Sequence, residues 1–126
     1  MLLYRPAGEQ EYMLVAQSGY TQFPPRLPQQ PFFYPVLHER YALEIASRWN
    51  TKDPNSGFIG YVTRFSVDDD FIKRYKIHTV GRRYHQELWV PAGELQEFNR
   101  HILGKIEVLH TLTADKGVDI STVSIV

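Results

Sequence analysis

A single α+β domain is what this sequence predicts, and three observations predict it. Apolar residues recur at two periods, alternating along some segments and lying three or four apart along others. Segments of the two kinds are short and interleaved, and Gly, Pro, Asn and Asp separate them. No Gly-rich phosphate turn follows any strand-like run, which argues against a doubly wound parallel sheet. The 126 residues leave room for one core and a short tail, hardly for two domains. We therefore expect a domain over 1–112 and a tail over 113–126.

Residues 2–5 read as a strand, stopped by Pro6, which cannot donate to a ladder. Tyr12, Val15 and Ala16 mark a helix over 9–18, with Gly19 as its stop. The stretch 20–31 holds Pro24, Pro25, Pro28 and Pro31, a density that neither a helix interior nor a central strand tolerates. It must be a stiffened loop, and so long a loop in a small domain is a candidate functional element. Residues 32–36 are aromatic and β-branched, hence a strand. Tyr41, Ile45 and Trp49 lie four apart, with Ala42 and Ala46 beside them, in the clearest amphipathic helix of the chain, 38–49.

A turn fills 50–57, and a long strand follows over 58–67. Its alternation sets Ile59, Tyr61, Thr63, Phe65 and Val67 on one face and Val62, Arg64 and Ser66 on the other. Asp68 caps a short helix through Tyr75, with acidic residues where the helix dipole favours them. Strands over 76–80 and 85–90 flank the connection 81–84, and a helix opened by Pro91 runs to Gly104. The last convincing strand is 105–112. The β-branched stretch 120–126 is a candidate added edge strand, or a loose end. Trp49, Trp89, Tyr41 and Phe65 are expected in the core.

Composition excludes several functions. Lys plus Arg equal Asp plus Glu at 14 each, so no large positive excess serves phosphate backbones or anionic membranes, though a local patch remains open. Without cysteine there is no disulfide, thiolate chemistry or cysteine-bound zinc. The five histidines show no metal-ligand spacing, so no metal is expected. There is no GxSxG, and Asp68–Asp70 lack the Gly and terminal Glu of a calcium loop. The apolar runs are too short to span a membrane, and the first residues are unlike a secretory signal; a soluble cytoplasmic domain is the expectation.

Three polar residues stand on strands where patterning does not require them: Arg5, Tyr34 and Glu87. Alternation puts His85, Glu87 and Trp89 on one face of their strand, with Leu88 and Val90 toward the core. A carboxylate beside Trp89 is either solvated or lines a cleft.

In this order, LYRP, FYP followed by ERYALEIA, GYVTRFSVD and HQELWVPAGEL resemble the blocks of the ADP-ribosyltransferase-like fold. With FPPR, FYPVL, VTRF, ELWVPA and EFNRHI, residues 2–110 are similar to a group of small bacterial proteins labelled ADP-ribosylation/crystallin J1. The resemblance implies two small twisted, mixed or antiparallel sheets that form a cleft, with short flanking helices. It implies NAD as substrate. Arg5 would hold its ribose or phosphate, and Tyr34 would stack on the nicotinamide. Glu87 would bind the ribose hydroxyl and stabilise the cation formed as the glycosidic bond breaks. Arg26, in the proline loop, would contact the pyrophosphate. His85 stands where arginine-modifying members carry Glu or Gln, which sets arginine aside as the acceptor. The implied activity is ADP-ribosyl transfer or NAD hydrolysis. The alternatives are a non-catalytic module of the same fold that binds a nucleotide, or a regulatory partner of the toxin-immunity kind. A third is an enzyme acting on another phosphorylated ligand through Arg5 and Arg26.

Overall fold

The computed structural model describes residues 1–114, so the candidate edge strand at 120–126 lies outside the described residues. Strand β1 (Leu2–Ala7) leads into helix α1 (Glu9–Gln17), and the proline loop carries the chain to β2 (Phe32–Phe33) and α2 (Glu39–Arg48). Two single-turn 3₁₀ helices (Asn50–Lys52 and Pro54–Ser56) precede β3 (Ile59–Val67) and α3 (Asp69–Ile72). Then come β4 (Ile77–Thr79), β5 (Gln86–Leu88), β6 (Val90–Pro91), α4 (Leu95–Arg100) and β7 (Ile102–Thr113). Helices and short antiparallel ladders thus alternate in an α+β architecture.

β3 is the centre of a three-stranded antiparallel sheet, flanked by β1 and β7. β2 pairs with β6 and β4 with β5, each as a two-stranded ladder. Val36 joins two of these. It bridges Tyr4 on one side and Glu87 on the other. Tyr4 and Val36 exchange both backbone hydrogen bonds at 2.8 Å, and Leu88 N–H donates to Pro35 C=O at 2.9 Å. The three-stranded sheet and the β4–β5 ladder are therefore laid edge to edge. The β2–β6 ladder shares a core with the three-stranded sheet, through Phe33 and Val90 beside Leu3 and Phe65.

β1 continues through Pro6, where the sequence suggested a stop. Tyr4 N–H points to Val36, and alternation sends the Pro6 nitrogen to that same side, so Pro6 removes no bond to β3. β7 begins three residues before its expected start. Gly104 stops no helix; it sits in the strand at φ +73°, where β7 spends three residues opposite Phe65 alone. The bulge restores the alternation beyond it.

The sheet is covered on both faces. On one, Leu3, Phe65 and Val67 meet Phe23, Phe33, Phe71 and Phe98. The rings of Phe33 and Phe65 both lie 4.9 Å from Phe23, tilted and edge-on. On the other, Val36, Val62 and Leu112 receive Ala42 and Ala46 of α2, small residues that let the helix come close. Val62, on the face of β3 opposite Phe65, is fully buried because α2 supplies a second core. Phe65 is in the core as expected and Tyr41 is half-buried, but Trp49 is 68% exposed and Trp89 39%. Trp49 follows the last helical turn, and Trp89 alternates outward between buried Leu88 and Val90.

Candidate functional site

Two of the candidate residues, Arg5 and Arg26, contribute to a cleft of about 620 Å³. Its walls are the β1–α1 junction, the proline loop and the two 3₁₀ turns of 50–56. Gly8 and Ser56 close its floor. A Cβ on Gly8 would lie 2.7 Å from the Ser56 Cβ, so only glycine lets the helix begin this close to the turn. Gly8 also offers no side-chain cap to α1, so the first N–H groups of the helix lack one. Ser56 Oγ accepts from Asn50 and donates to Asp53, which makes this part of the lining polar and hydrogen-bonded.

Arg5 and Arg26 both line this cleft. Arg5 forks onto Glu11 of α1, with Nε to Oε2 and NH2 to Oε1 each at 2.8 Å. Its guanidinium lies 4.8 Å from the Phe33 ring centre. Burial works against this charge, but Glu11 more than offsets it, and the Arg5 pKa is raised. Arg26 is less well served. Its Nε donates to Phe32 C=O at 3.0 Å, while its nearest approach to Glu11 is 3.8 Å. Burial, then the charge of Arg5, push its pKa down. Two guanidiniums share one carboxylate, which leaves a net positive charge on the group.

Tyr34 belongs to this neighbourhood. Its carbonyl accepts weakly from Arg5 at 3.5 Å, and its phenol lies within electrostatic reach of Arg26. Its ring is 6.1 Å from that of Phe32, which is 6.1 Å from Trp89.

Glu87 is elsewhere. It is in register with Val36 and through it with Tyr4, so its side chain leaves the sheet on the face of Tyr4, opposite that of Arg5. The structure brings Arg5, Arg26 and Tyr34 together and leaves Glu87 and His85 in a second cluster, outside the lining of the cleft. There Glu87 accepts from Tyr41 Oη at 3.0 Å and from Trp89 Nε1 at 2.9 Å. Burial, then Glu87, push the Tyr41 phenol up to about 12, so it remains a donor at every physiological pH. His85 accepts from Arg82 N–H on Nδ1 at 3.0 Å, which leaves Nε2 to donate to Glu44 at 3.0 Å. His85 is thus bound to α2 and not free beside Glu87.

No family model matches this chain, and no curated protein or solved structure matches it either. Among the described residues, no group of three or more His, Asp or Glu is placed to hold a metal ion. No helix among them is long and apolar enough to cross a membrane.

Glu11 is the residue of the site that sequence reasoning missed. It is six positions from Arg5, across a strand–helix junction, and no periodicity connects the two. Acidic residues in the first turn of α1 were its only signal, and the helix dipole explains those equally well.

Glu44, in the second cluster, offers a pH test. Burial raises its pKa, but hydrogen bonds from Tyr84 and His85, with the charges of His85 and Arg48, outweigh this and leave it below its ordinary 4.5. A depressed carboxylate stabilises the fold above its ordinary value and loses that contribution as pH falls through the folded-state pKa. Glu44→Gln is therefore expected to be less stable than wild type near pH 7, with the gap closing below pH 4.5. Urea unfolding at a series of pH values measures it.

Proposed function

We propose that the protein binds a nucleotide carrying a pyrophosphate, NAD being the ligand that its resemblance to the ADP-ribosyltransferase-like family nominates. The observation that supports this is the Arg5–Arg26 pair, which lines a polar cleft with one carboxylate between two cations. An anion set against Arg26 relieves the repulsion that Arg5 imposes on it. The cleft volume falls within the range of small-molecule sites, a few hundred to about a thousand Å³. The uncapped N–H groups at the start of α1 add favourable dipole for a phosphate.

Cleavage of NAD is a second reading, and the ordered carboxylate of Glu87 favours it. Water or an acceptor would attack C1′ of the nicotinamide ribose as the C1′–N bond breaks. Nicotinamide would leave with the electron pair, and Glu87 would stabilise the positive charge on the ribose. Glu87 leaves the sheet on the face opposite Arg5, so this reading requires one ligand to reach both faces.

Titration calorimetry with NAD separates these. Saturable binding in wild type and a loss of tenfold or more in Arg26→Gln support the binding site. Equal affinity in both proteins removes Arg26 from it. Nicotinamide release that disappears in Glu87→Gln supports cleavage; binding without release leaves a nucleotide-binding protein.

A further inference from the structure

The turn between β4 and β5 presents Arg82 and Arg83 to solvent, both exposed. That turn is firmly built. His85 N–H donates to Arg82 C=O at 2.9 Å, Arg82 N–H donates back to the His85 ring at 3.0 Å, and Val80 N–H donates to His85 C=O at 3.0 Å. Tyr84 and His85 both donate to Glu44, which docks the turn on α2. On α2, Arg40 and Arg48 flank Glu44 one turn to either side, each with about 70% of its side chain exposed. Among the described residues, Glu44 and Glu87 are the carboxylates of this cluster, so its four arginines exceed them by two on a chain whose net charge is zero.

Aromatic surface lies among these charges. The Arg40 guanidinium sits 4.3 Å above the Tyr84 ring. Trp89 stacks on His78 at 3.7 Å and 6° and still exposes 39% of its surface. Contacts are continuous from one end to the other: Trp89 to Glu87, Glu87 to Tyr41, Tyr41 to His85, and His85 to Tyr84.

We infer that this face binds single-stranded nucleic acid. Exposed arginines meet the backbone phosphates, and Trp89 with the Tyr84–Arg40 stack offers planar surfaces to unpaired bases. An acidic peptide would satisfy the arginines and leave the rings unused. A duplex keeps its base faces stacked away from them. The surface is on the Glu87 side and apart from the arginine cleft, so this inference and the proposed nucleotide site fail separately.

Fluorescence anisotropy with a labelled mixed-sequence 15-mer DNA tests it, in single-stranded and duplex form, across a salt series. The single strand is expected to bind in the micromolar range, with log K falling on log salt by about 0.7 per phosphate contacted. R82A/R83A, whose side chains are solvent-exposed, should keep the fold and reduce the slope by about 1.4. Trp89→Ala should weaken binding about tenfold with little change in slope. Duplex bound as tightly as single strand would overturn the inference. So would a slope unaltered by R82A/R83A, or displacement by polyglutamate at lower charge concentration than by unlabelled DNA; the last would assign the face to an acidic protein.

Discussion

Phe98→Ala is expected to cost about 3–5 kcal/mol and to lower the melting temperature by roughly 10–20 °C. Phe98 is fully buried on α4, and its ring meets Phe33, Phe65, Phe71 and Tyr75 at centroid separations between 5.7 and 6.3 Å. Truncation removes the transfer energy of the ring and opens a void that four aromatic neighbours, wedged against one another, fill poorly. The damage should also reach the cleft. Phe33 contacts Phe98 on one side and carries the Arg5 guanidinium on its ring, so a shift of Phe33 moves the cation. Phe98→Leu keeps more of the volume and is expected to lose less. Urea denaturation with an unchanged m-value checks the series.

Glu11→Ala should give effects of opposite sign on stability and on anion binding. The Arg5–Glu11 pair is mostly withdrawn from solvent, with side-chain exposures of 13% and 17%. Removal of the carboxylate leaves Arg5 and Arg26 facing each other without a counter-charge, at an expected cost of about 3 kcal/mol. A double variant, R5M/E11L, should recover part of that loss, because the repulsion between Arg5 and Arg26 is then gone and Arg26 alone is left without its counter-charge. Phosphate or pyrophosphate binds Glu11→Ala more tightly than wild type if the two guanidiniums form the site, since the competing internal anion is gone. Thermal unfolding with and without pyrophosphate reads both effects in one experiment. A variant destabilised yet insensitive to pyrophosphate would confine the pair to a structural role.

Much of the fold was legible because local patterning and tertiary packing agreed. The helix over 38–49 is observed as Glu39–Arg48, since Ala42 and Ala46 lie on the face that the sheet buries. Gly19 ends α1 at φ +78°, and the proline loop carries no helix or strand. What was not legible depended on long-range register. Val36 stitches β1 to β5, and nothing local distinguishes it from any other apolar residue after a proline. Trp49 was expected in the core with Tyr41 and Ile45, four apart on the helix, but α2 ends at Arg48 and leaves it exposed. Trp89 was also expected there, although strand alternation already set it opposite Leu88 and Val90, and it is turned outward.

The site divides in the same way. Arg5, Arg26 and Tyr34 were picked out for their chemistry, and the fold gathers them around one cleft or its rim. Glu87 was picked out equally well as a mid-strand carboxylate. Its face, however, is set by pairing with Val36, a contact 51 residues away in the chain, which alternation within β5 alone does not reveal. Glu11 and Gly8 complete the cleft through a strand–helix junction, where neither the period of a strand nor that of a helix applies.

Backbone amide shifts of ¹⁵N-labelled protein during an NAD titration test the central claim most directly. Saturable changes are expected to concentrate at Gly8, Gln10 and Arg26, and to be absent in Arg26→Gln. Shifts that never saturate, or that gather around Val108 on the far strand while the cleft stays silent, would contradict it.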